Sequence, residues 1–92
     1  MSRFKPEVRR VASKEDLQTW VREALSAYGG RASIVEVAQH IWTHNEMALR
    51  ASGDLLFTWQ YDMRWAANVL RGNGVMKPVG LSSRGIWELS HR

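Results

Sequence analysis

The sequence predicts an α+β domain in which three helices are followed by a two-stranded β wing. Two observations carry this expectation. Three stretches repeat apolar residues at helical spacing, and each runs out into glycine. The last stretch alternates apolar and polar residues on either side of a Gly-bounded polar loop, the pattern of paired strands with one buried face. With 92 residues the chain has the length of a single domain, and 45% hydrophobic against 24% charged residues is ordinary globular composition. Five Trp give so small a core a large apolar area per side chain.

Residues 1–12 read as a basic N-terminal arm, with Arg3, Lys5, Arg9 and Arg10 against the single acid Glu7, and residues 13–92 as the folded domain. Ser13 is placed as an N-cap, followed by Glu15 and Asp16, which favour the dipole of a first helical turn. Leu17, Trp20, Val21, Ala24, Leu25 and Tyr28 then recur at steps of three and one, one face of an amphipathic helix that Gly29-Gly30 ends. Arg31-Ala32 is a short extended link. Ser33 with Glu36 three residues on forms a capping box for a second helix, whose buried stripe is Ile34, Val37, Ala38, Ile41 and Trp42. His44-Asn45 is weak helix sequence, and Ala51-Ser52-Gly53-Asp54 is a break.

A third helix is expected from about Thr58, as N-cap, to Arg71, with Trp59, Met63, Ala66, Val69 and Leu70 on its buried side. Gln60, Arg64, Asn68 and Arg71 share the opposite side, with Tyr61 and Trp65 on the flank between. Val75–Val79 and Ile86–Ser90 are the two expected strands. Trp87 and Leu89 alternate with Ile86 and Glu88 in the second of them.

Three helices followed by a hairpin is the order of a winged helix, whose third helix enters the DNA major groove while the wing lies on a phosphate backbone or in the minor groove. The charge agrees: thirteen Lys and Arg, ten of them Arg, against nine acids give a net +4. Gln and Asn pair bidentately with adenine and Arg with guanine, so Gln60, Arg64, Asn68 and Arg71 are candidate base readers. Lys77, Ser82, Ser83 and Arg84 are candidate phosphate ligands in the wing, and the arm residues Arg3, Lys5, Arg9 and Arg10 are of the same type. Such a stripe is also what any solvated helix face looks like. The lack of an acid on it favours DNA, since Asp62, the one acid of the helix, lies off the stripe.

Tyr61 to Gly74 together with Arg84 to Ser90 resembles the N-terminal module of Mrr-like modification-dependent restriction enzymes. Arg64, Trp65, Ala66, Leu70 and Gly74 match that family's third helix; Arg84, Gly85, Trp87 and Leu89 match its wing; Leu25 and Gly29-Gly30 match the end of its first helix. The similarity spans roughly residues 14–90, mostly at core and turn positions. It implies a winged helix that binds duplex DNA, in restriction or in sensing modified bases. The family's nuclease is a separate PD-(D/E)xK unit for which this chain has no room, and no base-specific residue of the family maps onto it.

Other chemistries find little support. The sequence has no Cys, which excludes disulfides, thiolate metal sites and Cys nucleophiles. Glu36, His40 and His44 fall on one side of the second helix, but the expectation is a solvated face and no metal, since zinc sites require three or four ligands. Serines occur at caps and turns, and no phosphate loop or nucleophile elbow is present. No enzyme activity and no cofactor are expected. No signal peptide or apolar run of membrane-spanning length is read, which points to a cytoplasmic protein. The alternative partner is protein: a winged helix that docks or forms a homodimer, with Tyr61 and Trp65 as interface anchors. The same two rings could instead stack on a flipped base or cap the core.

Overall fold

The computed structural model describes residues 12–90, so the basic arm up to residue 11, and His91 and Arg92, lie outside the described residues. The elements are α1 (Asp16–Ala27), β1 (Arg31–Ser33), α2 (Ile34–Arg50), α3 (Leu55–Gly72) and β2 (Ile86–Glu88). Among the described residues these form a small α+β unit of three helices and a two-stranded antiparallel sheet.

The helices form where the apolar spacing places them. Leu17, Val21, Ala24 and Leu25 of α1, Val37, Ile41 and Leu49 of α2, and Trp59, Met63, Ala66, Ala67 and Leu70 of α3 converge on one core. Met76 and Trp87 close it from the sheet side. The capping box of α2 is complete: Glu36 N–H donates to Ser33 Oγ at 3.0 Å and Ser33 N–H to Glu36 Oε1 at 2.9 Å. The weak point at His44-Asn45 appears as a kink, since Asn45 leaves the helical region (φ −133°, ψ 18°) while its side-chain amide donates to the Ile41 carbonyl at 3.0 Å.

Four local expectations require correction. Thr58 is not an N-cap: α3 starts at Leu55, because the turn at Ser52–Asp54 winds directly into it and Leu55, Leu56 and Phe57 donate to the carbonyls of Ser52, Gly53 and Asp54. The Thr58 hydroxyl donates instead to Asp62 Oδ2 at 2.9 Å. Ser13 does not cap α1 with its hydroxyl; its amide donates to Asp16 Oδ2 at 2.9 Å, and the capping position is Glu15. Tyr28 is exposed at the end of α1, edge-on to His40, rather than buried.

The fourth concerns the hairpin. The regular partner of β2 is β1, in the register Arg31 with Glu88, Ala32 with Trp87 and Ser33 with Ile86. The expected strand at Val75–Val79 is reduced to one bridge, Met76 with Leu89, held by Lys77 N–H to Glu88 O at 2.9 Å and Ser90 N–H to Val75 O at 2.8 Å. The segment 86–89 therefore lies between the link after α1 and the segment after α3, and ties the end of the chain to both.

Candidate nucleic-acid interface

Gln60, Arg64 and Asn68 are all exposed on α3, one helical step of four apart. At 1.5 Å per residue the stripe is about 12 Å long, roughly three to four base steps of duplex. Arg64 has no ion pair among the described residues. Asn68 Oδ1 accepts from Arg71 Nη1 at 3.0 Å, so bidentate use of Asn68 on a base requires that bond to be exchanged.

Arg71 departs from the stripe. It is half-buried, with its guanidinium 6.0 Å from the centre of the Trp87 ring, and its Nε is buried without a hydrogen-bond partner among the described residues. It shares a cavity of about 370 Å³ with Lys77, Ser82, Ser83, Arg84 and Glu88. The five candidate residues from Arg71 to Arg84 are thus brought together beside the loop between α3 and β2, while Gln60, Arg64 and Asn68 form the separate helical stripe.

Glu88 organises this cavity, and the sequence reading gave it no role there. Its carboxylate accepts from Lys77 Nζ at 2.9 Å and from Ser82 Oγ at 3.0 Å, with Arg31 Nε at 3.8 Å. Lys77 and Ser82 are thereby held by the protein itself, whereas Ser83 and Arg84 of the same loop are exposed. The hydrogen bond from Lys77 first, and then that from Ser82, hold the Glu88 carboxyl below its ordinary value of 4.5, against an opposing effect of burial. A lowered folded-state value means that ionised Glu88 stabilises the fold above about 4.5 and that this contribution disappears as pH falls through the lowered value. Glu88→Gln is therefore expected to lower the urea midpoint at neutral pH, with the difference from wild type closing in acid. A difference that persists unchanged in acid would contradict the assignment.

No protein-family model, curated protein or solved structure matches the chain.

Elsewhere, Glu36 is engaged in the capping box rather than joined to the histidines. The imidazoles of His40 and His44 stack at 4.0 Å, and His44 Nδ1 lies 2.9 Å from the His40 carbonyl, which requires a proton on that nitrogen. Burial, then the neighbouring His44, push His40 below its ordinary 6.5, with Glu23 opposing. Among the described residues there is no group of three or more His, Cys, Asp or Glu placed to hold a metal, and no helix long and apolar enough to cross a membrane.

The aromatic flank of α3 divides. Trp65 packs partly on the core with Lys14 Nζ 4.4 Å from its ring centre, whereas Tyr61 is 75% exposed. Tyr61 borders an open groove of about 760 Å³ between α2 and α3, lined also by Val35, Trp42, Leu56 and Trp59. The sequence could not reveal this groove, because it depends on how the two helices splay.

Proposed function

We propose that the chain is a winged-helix domain that binds duplex DNA and performs no chemistry of its own, with α3 in the major groove and the segment 75–90 as the wing. The observation that carries this reading is the acid-free exposed stripe Gln60, Arg64, Asn68, which runs toward a wing cavity lined by three cations and one carboxylate. The stripe supplies base-edge partners and the wing supplies charge for phosphates, the division of labour that DNA readers require. The resemblance of Tyr61–Gly74 and Arg84–Ser90 to the Mrr N-terminal module supports the same reading and adds restriction, or sensing of modified bases, as its setting. The cytoplasm is the corresponding compartment.

Arg84→Ala tests the wing. A phosphate contact carries no sequence information, so the substitution is expected to weaken all duplexes alike and to flatten the salt dependence by about one unit. An Arg84→Ala protein with unchanged affinity and salt slope would remove the wing from the interface.

One observation favours a second reading. Val35 and Tyr61 are exposed on the α2–α3 groove, an apolar surface suited to a protein partner or a second copy. A particle of twice the chain mass that has no affinity for DNA would favour it.

A further inference from the structure

The DNA-binding reading leaves two wing side chains without a task. Val79 is 78% exposed and Leu81 69% exposed, although both are aliphatic. They are not on a slack loop. Leu81 N–H donates to the Pro78 carbonyl at 3.2 Å, closing a four-residue turn with Gly80 third, at φ 100°. A second turn follows at once, closed by Ile86 N–H to Ser83 O at 3.0 Å with Gly85 at φ 77°. Turns of this kind require a positive φ at the third position, which glycine supplies. The first turn presents Val79 at its corner and Leu81 at its exit; the second presents Arg84 at its corner.

The wing tip is therefore an apolar point held in a fixed turn, and its base is cationic. Arg71, Lys77 and Arg84 line the cavity under the same loop against the one carboxylate of Glu88, which holds Lys77, and the buried Arg71 Nε has no acceptor among the described residues. An apolar point inside a basic collar fits a partner whose negative charges flank an apolar slot. The minor groove of duplex DNA has this form: phosphates run along both edges, and the faces of stacked bases become available when a step opens.

We propose that the wing enters the minor groove and wedges Leu81, backed by Val79, into a base step, so that the domain kinks the DNA it binds. This rests on the DNA-binding reading. Phosphates docked at Arg71 and Arg84 set the depth of the tip, and the aliphatic side chains leave water by contacting base faces at the opened step. Flexible pyrimidine–purine steps open most easily, so the wedge adds a preference for such steps that involves no hydrogen bond to a base.

The test uses the full chain and a duplex of about 30 base pairs with a fluorescence donor and acceptor at its ends, the length over which such bends are read. Anisotropy on the same samples reports binding. At saturation the wild type is expected to shorten the end-to-end distance as a kink of roughly 20–90° requires. Val79→Ser/Leu81→Ser, at exposed positions, is expected to keep its circular dichroism and to bind with about tenfold lower affinity or less, while losing the shortening. Arg84→Ala is expected to bind more weakly and still bend at saturation. Wild-type binding without shortening overturns the wedge and leaves the DNA-binding reading intact, as does full shortening by the double variant. No duplex binding at low salt overturns both, and capture by anionic vesicles in its place would assign the apolar tip to a lipid surface.

Discussion

Trp87→Ala is expected to destabilise the fold by about 3–5 kcal/mol, the range for removing a buried large aromatic ring. Trp87 is 5% exposed at the centre of β2, in register with the buried Ala32, and Arg71 lies over its ring. Deleting the indole opens a void between sheet and helices and leaves the Arg71 side chain without its support. In a domain of this size about 1 kcal/mol displaces the melting temperature by roughly 4–8 °C, so the variant should melt at least about 12 °C below wild type. Thermal circular dichroism checks this. A variant melting within a few degrees of wild type would show that the ring does not hold β2 to the core. The same variant should also bind DNA more weakly even where folded, because Arg71 loses the surface that positions it.

The second large effect is expected at the helical stripe. Arg64→Ala and Asn68→Ala should each lower affinity and change which base pair is preferred, because a bidentate side-chain–base pair contributes about 1–3 kcal/mol of discrimination. That corresponds to roughly five- to 150-fold between best and next-best sequence. Both side chains are exposed, so neither substitution should alter stability appreciably. The two differ in one respect. Arg64 has no ion pair among the described residues, whereas Asn68 bonds Arg71, so Asn68→Ala also releases Arg71 toward the wing cavity. Selection from a randomised duplex pool measures the preference directly. Unchanged preference and affinity in both variants would take α3 out of the interface.

The parts of this fold legible in the sequence are those fixed by near neighbours. The apolar steps of α1, the Ser33–Glu36 capping box, the break after Arg50 and the glycine stop of α3 each involve residues within a turn or two of one another. The start of α3 is not legible, because Thr58 has the character of a cap while the turn at Ser52–Asp54 already winds helically into Leu55. The pairing of β2 with β1 depends on a strand of three residues, too short to show alternation, and on the packing of two helices that intervene. Three helices followed by a closing strand were therefore readable, but the strand partner was not.

The candidate site divides along the same line. Gln60, Arg64 and Asn68 share a face by helical geometry alone, and they are found exposed on that face. After α3, Lys77, Ser82, Ser83 and Arg84 line one cavity, and Arg71, which helical spacing places with the stripe, lines it with them. Their division into groups held by Glu88 and groups left outward was not legible, because it follows from the register that sets Glu88 between Arg31 and Lys77. The exposed pair Val79 and Leu81 is not legible, because exposure of an aliphatic residue in a turn has no sequence signature.

The central claim, that the domain binds duplex DNA, is tested most directly by fluorescence anisotropy of a labelled duplex across a salt series, with light scattering on the same sample for the mass. Binding is expected at low salt and should weaken linearly on logarithmic axes, with a slope of about −2 for two phosphates neutralised by Arg71 and Arg84. Parallel duplexes carrying 5-methylcytosine or 5-hydroxymethylcytosine establish whether a modified base is preferred. No binding to any duplex at low salt, by a protein that is folded and larger than one chain in solution, would contradict the account and assign the exposed apolar surface to a protein partner.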